Sequence, residues 1–487
     1  MKVAIIGMGV AGTSVLREWT KAQKLNPSIE ITVFTDKKTF GRGKAFQQDD
    51  PRLLMNQSAK FTSVKPDNHR DFVEWIKMRH NDEQPEDKFY PRAEFGAYVA
   101  ERMNEWLAES KATVIYDKVE SIRIVDQHYR LTWAHQTADF DAVHLCTGTF
   151  PYKDPYDLND HPHTIADPFP MQEKLVKLPQ GATIGVIGMG LTSIDVFRYT
   201  HAHRPDINVA FFSRSGTFKT LISDIDSIEN QYITRENIEQ EKAKHNGLIP
   251  LATYLDWFKK ELTYLKLSLD EPLTAESLGS KQSIKRQLAH QSEIDIIQVV
   301  LKNITLLQTD IWSTLTEADK HLFIDKYYKA WDKLRAPFPP ETGEDLFKAW
   351  DENVFQVYDN LVQVTKNESS FTFELDNDET IKVDYVINAT GNDINVTYDM
   401  EEVPLISQLV NERIIQAETF GGIQVTVPTL SVVSQKYGVL NTLKAHGQLI
   451  AGIQFGNSSV RIISKSARAS VEDIVNQLEN KVSSDVL

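Results

Sequence analysis

Apolar and polar positions along this chain fall into two long blocks that follow one plan. Residues 3–6 form a short unbroken apolar run, as in a parallel strand buried on both faces. A glycine-rich turn follows, Gly7-Met8-Gly9-Val10-Ala11-Gly12, then a stretch with apolar residues at helical spacing through Leu16 and Trp19. A second strand-like run, 29–34, leads to Asp36. Runs at 113–116, 119–125 and 129–133 read as a β-meander, and Ala142-Val143-His144-Leu145 leads into Cys146-Thr147-Gly148.

The second block begins at 183–187 and turns through Gly188-Met189-Gly190-Leu191-Thr192-Ser193. Its second strand, 207–212, ends at Ser213-Arg214. Strand-like runs recur at 361–364, 371–375 and 381–383, and 385–387 leads into Asn388-Ala389-Thr390-Gly391. Both blocks thus predict β-α-β, meander, strand, Thr-Gly. Between the second β-α-β unit and its meander lies a segment, 225–350, rich in Lys, Glu, Leu, Ile and Trp. Ile294, Ile297, Val300, Leu301 and Ile304 keep helical spacing there, and Pro337, Pro339 and Pro340 predict a break near its end. The expected fold is α/β: two Rossmann-like dinucleotide-binding domains, each with a β-meander, plus a mostly helical insertion. One domain takes 1–165 and 393–487, the other 166–224 and 351–392, and the insertion 225–350.

The turns carry the candidate chemistry. Gly7 lets the chain leave its strand tightly, Gly9 lets the backbone approach a pyrophosphate, and Gly12 lets the helix pack close to the sheet. The free N–H groups of the opening helix, around Val10 and Ala11, attract the diphosphate. Asp36 lies 29 positions after Gly7 and offers a carboxylate to ribose hydroxyls. The second turn keeps Gly188 and Gly190, with Leu191 and Thr192 opening its helix and Ser193 at the third glycine position. No acid ends its next strand; Ser213 and Arg214 stand there. A carboxylate would repel a 2′-phosphate and an arginine attracts one, so this site predicts NADPH, with NADH possible. The alternative for Arg214 is an ordinary solvated charge. Two dinucleotide sites in one chain imply an exchangeable hydride donor and a resident electron holder, which a flavin can be.

Composition narrows this picture. Among 487 residues, 53 Lys and Arg face 68 Asp and Glu, a net charge of −15. That balance argues against a nucleic-acid or anionic-membrane partner over most of the surface. The single cysteine, Cys146, excludes an internal dithiol pair and a cysteine-based zinc site, and no metal is expected. Electrons must therefore reside on a bound cofactor. Lys2 and the apolar residues after it imitate a signal peptide, but the glycine spacing marks a folded strand and turn. With no apolar stretch long enough to span a bilayer, a cytoplasmic location is expected.

These motifs resemble the two-dinucleotide-binding flavoproteins that include flavin-containing and N-hydroxylating monooxygenases, and more narrowly a bacterial set of FAD/NAD(P)-binding proteins. The resemblance runs nearly end to end. It rests on Gly7-x-Gly9-x-x-Gly12, on Gly41-Arg42-Gly43-Lys44-Ala45-Phe46 with Leu53-Leu54-Met55-Asn56, and on the Gly188–Asp195 and Ser213-Arg214-Ser215-Gly216 segments. Ala330-Trp331-Asp332-Lys333-Leu334-Arg335, followed by the three prolines, resembles the narrower set. The resemblance implies FAD on the first site and NADPH or NADH on the second. It implies that the stretch from Gly41 to Asn56, with Arg42, Gly43 and Met55, lines the flavin. Asn56 matches an asparagine near the reactive flavin carbon, and is the one candidate catalytic residue; a loop asparagine holding a turn is the equal alternative.

The resemblance also implies that Thr147-Gly148 and Thr390-Gly391 lie near the cofactor diphosphates, with Cys146 a small buried hydrophobe in the family's alanine place. His446-Gly447-Gln448-Leu449 looks like the last FAD segment. His446 reads as a packed histidine or as a proton donor near the flavin. A helix with Val460, Ile463, Ala467, Val471, Ile474 and Leu478 on one face should follow, its N-terminus near Asn457-Ser458-Ser459 directed at the flavin. Trp257, Trp312, Trp331 and Trp350 read as core or as a substrate pocket. Lys219 and the 224–226 region are further candidates for meeting the nicotinamide.

The implied activity is that of an FAD-dependent, NADPH-using oxidoreductase, a monooxygenase acting through a C4a-hydroperoxyflavin. Its partners would be O2 and a small molecule with a nitrogen, sulfur or carbonyl centre, and a homodimer is plausible. Two rivals stand. One is an NAD(P)H oxidase or reductase that passes electrons to O2, a quinone or a protein. The other is a non-catalytic flavin-binding assembly or regulatory protein that docks through the insertion.

Overall fold

The computed structural model describes residues 1–225, 228–267, 272–397, 400–455 and 459–485. It divides into two compact units. Met1–Pro51, Gln57–Pro151 and Asp393–Leu487 form the first; Arg52–Asn56 and Tyr152–Asn392 form the second.

The first unit is built on a six-stranded sheet. Lys2–Ile6 lies at its centre, parallel to Glu30–Phe34 on one side and to Ala142–Leu145 on the other. Every residue of Ala142–Leu145 is buried, as a strand covered on both faces requires. Thr113–Ile115 extends the sheet beyond Glu30–Phe34, in parallel. That corrects the meander expected at 113–133: the meander is Ser121–Val125, His128–Trp133 and Gln136–Phe140. Three apolar residues do not encode which neighbour they pair with, and the third meander strand is too polar to signal itself. Two further strands, Ser431–Ser434 and Gly438–Ala445, close the other edge.

The inner face of the meander packs Ile122, Leu131 and Trp133 against Ile6, Phe34 and Val143. The helix Pro404–Asn411 seals this layer with Leu405, Ile406 and Leu409. Gln408 pairs with both backbone groups of Ile122, accepting its N–H and donating to its carbonyl at 3.1 Å each. On the opposite side the helix Val10–Leu25 packs against Arg92–Ser110 and Val460–Asp485. The C-terminal helix turns Val460, Ala467, Val471 and Ile474 inward, in the expected register. Of its expected N-terminal region, Asn457 and Ser458 lie outside the described residues.

The second unit repeats the plan with a five-stranded parallel sheet in the order Gln356–Tyr358, Asn208–Phe212, Thr183–Ile187, Tyr385–Asn388 and Thr164–Ile165. Its meander is Leu361–Lys366, Phe371–Leu375 and Thr380–Val383. The unit boundary falls at 151/152, because Thr164–Ile165 pairs with Val386 and Ile387 of this sheet.

The 225–350 insertion is helical but does not form a unit of its own. Leu346 and Ala349 share one apolar cluster with Ile184 and Phe211, while Leu262, Ile294, Ile297 and Leu334 form a smaller core inside the insertion. Pro337 and Pro339 lie in the expected break, between the helices Tyr328–Arg335 and Pro340–Asp351, and Pro340 opens the second of them. Proline at the first helical position loses no hydrogen bond that the helix would have made. Trp312 is buried, and Trp350 packs edge-on against Phe218 within the core.

One buried charge cluster braces the helical side of the first unit. Asp71 is 3 % exposed and accepts from Lys65, Tyr98 and Arg102 at 2.7–2.8 Å. Burial pushes its carboxyl up, yet the bonds from Arg102, Lys65 and Tyr98 outweigh this and hold it below its ordinary range. Removing one member of a buried pair strands the other. Asp71→Ala should therefore cost about 3 kcal/mol in urea unfolding of the whole chain, and exposed Asp139→Ala much less.

Candidate dinucleotide sites

In the first unit four segments meet at the start of the helix Val10–Leu25. Gly7 has φ +96°, and a Cβ there would overlap the Cys146 carbonyl oxygen. A Cβ on Gly12 would likewise overlap the Gly7 carbonyl. The Gly41–Gly43 loop folds over the turn: Gly41 N–H donates to the Met8 carbonyl at 2.9 Å, and a Cβ on Gly9 would stand 3.3 Å from the Gly43 Cα. The fourth segment arrives with Gly447, whose added Cβ would lie 4.0 Å from that of Ala11.

The helix opens on Gly9 with no side-chain cap and no acid in its first turn. Its first N–H groups, from Val10 and Ala11 onward, are those an anion would take. Asp36 is exposed beyond Glu30–Phe34, and one carboxylate oxygen accepts the Lys38 N–H at 2.6 Å, which orients the other. Thr147 and Gly148 are exposed just past buried Cys146. Burial pushes the Cys146 thiol up, so it stays protonated and inert. One N–H of Arg42, on Nη1, donates to the Ala93 carbonyl at 2.9 Å. Gln448 sits in the short turn Gly447–Ile450, its carbonyl accepting from Ala451 at 3.2 Å.

The second unit builds the same cradle with different edges. Gly188 has φ +101°, and its Cβ would stand 2.5 Å from the Ala389 carbonyl oxygen. The helix Leu191–His203 opens on Gly190, again with no side-chain cap and no acid in the first turn, and Thr192 lies within that turn. Ser193 is buried where the third glycine would stand, and its hydroxyl donates to the Gly190 carbonyl at 2.6 Å. Ser213 Oγ accepts the Gly216 N–H at 2.9 Å and lies 3.3 Å from Met189 Sδ, tying the strand end to the glycine turn. Arg214 is exposed within this closed turn. The Thr390 hydroxyl faces the Lys153 carbonyl and Asn388 Oδ1, and the Gly391 carbonyl accepts the Lys153 N–H at 2.9 Å. Met55 and Asn56 belong by contact to this second unit.

Lys219 is drawn into the insertion, paired with Asp332. His290 faces Asp224, and Asp226 lies outside the described residues.

Sequence reasoning missed a buried chain of rings under the first cradle. Trp19 Nε1–H can only donate, and it reaches His144 Nε2 at 2.9 Å. His144 must then carry its proton on Nδ1, which lies 3.0 Å from His446 Nε2. The two imidazoles stack with centroids 5.2 Å apart. Burial first, and then the nearby Lys444 charge, push His446 down to about 3. Burial, His446 and Lys444 push His144 well below its ordinary range too. Both imidazoles are fully packed, His446 at 1 % exposure and His144 at 0 %. Lys444, fully buried, donates to Ser431 at 2.8 Å and to Asp473 at 2.5 Å, which fixes the strand ahead of Gly447 to the C-terminal helix. The available signal was His144 itself, an ionisable residue inside a fully apolar strand.

Among the described residues, no cluster of three His, Cys, Asp or Glu could hold a metal ion, and no helix is long and apolar enough to cross a membrane. Residues 4–150 match the FAD-NAD(P)-binding domain family. No curated protein matches the chain by sequence. The fold of the whole chain is similar to three solved flavoproteins. Ornithine hydroxylase PvdA of Pseudomonas aeruginosa, in its reduced form, is 12 % identical with TM-score 0.62 over 98 % of this chain and 99 % of that one. L-lysine 6-monooxygenase of Pseudomonas syringae is 13 % identical with TM-score 0.61, covering 98 % and 99 %. Ornithine N-hydroxylase KtzI of Kutzneria sp. 744, solved with reduced FAD, NADP+ and L-ornithine, is 14 % identical with TM-score 0.58, again 98 % and 99 %. The architecture is thus that of the two-dinucleotide-domain flavoproteins.

The buried histidines set a pH dependence. Each is held neutral far below its unfolded value, so the unfolded chain binds more protons from about pH 6.5 downward. Their contribution is complete above that pH and is lost on acidification. At pH 5 the loss is about 2 kcal/mol per histidine. Thermal unfolding at pH 7.5 and 5.0 should show His446→Gln losing about 2 kcal/mol less than wild type across that interval.

Proposed function

We propose that this protein is an FAD-dependent, NADPH-using oxidoreductase that oxygenates a small molecule. One observation carries the reading: two uncapped helix N-termini on glycine turns differ at the end of the following strand. The first presents Asp36, an acceptor for ribose hydroxyls, and the second presents the Ser213–Gly216 turn with Arg214 exposed.

In this reading the Gly7–Gly12 turn, Asp36, Gly43, Thr147, Gly148, Gly447 and Gln448 hold FAD. Gly188, Gly190, Leu191, Thr192, Arg214 and Gly391 hold NADPH, with Ser213 shaping the turn. Arg42 joins the FAD set and Thr390 the NADPH set, one Arg42 N–H and the Thr390 hydroxyl also facing the backbone carbonyls of Ala93 and Lys153. Bound FAD supplies a two-electron acceptor for the nicotinamide hydride and a reduced ring that reacts with O2. Met55 and Asn56 are assigned to the reacting end of the flavin, Asn56 as a hydrogen-bond donor to a polar atom there. We put amines first among substrates, ahead of thioethers and ketones, in line with the ornithine and lysine hydroxylases of similar fold.

With purified enzyme, NADPH consumption, peroxide release and product should be measured across a panel of amines, thioethers and ketones. The reading expects one panel class to yield oxygenated product with NADPH consumption matched to product. Peroxide equal to NADPH for every compound would favour the oxidase instead. Arg214→Ala should raise KM for NADPH by about tenfold and leave KM for NADH within about twofold, as loss of one charge-assisted phosphate contact implies. Equal effects on both would remove Arg214 from the site.

A further inference from the structure

The helical insertion has a direct hold on the turn that carries Arg214. Thr217 immediately follows that turn, and its hydroxyl lies 3.0 Å from Ser215 Oγ. Among the described residues, the side-chain hydrogen bonds at Thr217 run to Ser215 and to the insertion, while the turn itself is also tied to the second meander by the Asn360 and Leu361 N–H groups. The Thr217 hydroxyl donates to the Ala275 carbonyl at 2.9 Å, and the next residue, Phe218, donates its N–H to the Gly279 carbonyl at 3.0 Å. Lys333, on the insertion helix Tyr328–Arg335, completes the grip. Its ammonium donates to the Thr217 carbonyl at 3.2 Å, to the Thr217 hydroxyl, and to the Leu278 carbonyl at 3.0 Å. Three donors meet three neutral oxygens, and the side chain is 9 % exposed.

Burying a lysine among neutral acceptors is costly, and an apolar residue would pack there at lower cost. What the ammonium adds is two directed bonds to Thr217, at the base of the turn, and one to Leu278 of the insertion. We propose that Lys333 is a positioning residue for dinucleotide selection: it fixes Thr217 so that the Ser213–Gly216 turn presents Arg214 to a ribose 2′-phosphate. This rests on the reading of Arg214 as the phosphate partner. It gives the insertion a task in cofactor choice.

The protonation of Lys333 supplies an independent readout. Burial, and then the Lys219 charge, push its amine down to about 7, with Glu276 and Asp332 the opposing charges. A neutral amine keeps only two donors, so one of the three bonds is lost as pH rises through 7.

The test is calorimetric binding of NADP+ and NAD+ to the FAD-loaded protein, in wild type, Lys333→Met, Arg214→Ala and the double variant. Wild type should favour NADP+. Lys333→Met should cut the ratio of the two Kd values about tenfold and leave NAD+ binding within about twofold. The double variant should lose no more selectivity than Arg214→Ala alone, because Lys333 acts through Arg214. Wild-type selectivity should fall between pH 6 and pH 8 more steeply than that of Lys333→Met. Additive losses, or an unchanged ratio in Lys333→Met, would overturn the proposal while leaving the NADPH reading intact. A wild type with no preference for NADP+ would overturn the NADPH reading itself. If circular dichroism shows Lys333→Met unfolded, Thr217→Val decides: about a threefold loss of selectivity supports the grip, and no loss removes it.

Discussion

A backbone contact too close for any side chain underlies both halves of this molecule. At Gly7 the carbonyl of Cys146 occupies the space of a Cβ, and at Gly188 the carbonyl of Ala389 does the same. Each contact lets the strand ending in Thr-Gly lie directly beside the strand that feeds the helix. The helix N-terminus is thereby brought to the carboxyl edge of the sheet with its N–H groups uncapped. An anion-binding site results from chain geometry alone, before any charged side chain is added. Side chains then differentiate the two copies.

Differentiation is local and electrostatic. The net charge of −15 says nothing about it. In the proposed function, Asp36 at one strand end and Arg214 at the other select opposite decorations of a ribose. The insertion belongs to the same story, because the segment from Thr217 to Ile222 runs along it. Thr220 donates to the Lys333 carbonyl at 2.7 Å, the Phe338 N–H donates to the Thr220 carbonyl at 3.0 Å, and the Ile222 N–H donates to the Phe338 carbonyl at 2.8 Å. A peripheral element is thus stitched into the loop that follows Arg214.

Much of this was legible in the residues. Gly7, Gly12 and Gly188 announce their geometry, because only glycine fits where a carbonyl replaces a Cβ. The 3–6 and 183–187 runs announce central parallel strands through unbroken hydrophobicity. What stayed hidden was long-range pairing. Residues 113–115 have the pattern of any short strand, and joined the sheet beside Glu30–Phe34. The Gln136–Phe140 strand is an edge, half-exposed and polar, and carries little hydrophobic signal. The prolines announced the break after Arg335, but not that Pro340 opens a further helix. Lys333 and His144 were invisible as partners, since their acceptors lie 116 and 302 positions away.

The account depends on two unlike dinucleotide sites acting in sequence. Anaerobic titration of the FAD-loaded protein with NADPH, followed by flavin absorbance, tests this most directly. About one equivalent of NADPH should bleach the flavin completely, and NADH should do so more slowly at equal concentration. A flavin that stays oxidised in excess NADPH and NADH alike would contradict the account and leave a protein that binds dinucleotides without passing electrons between them.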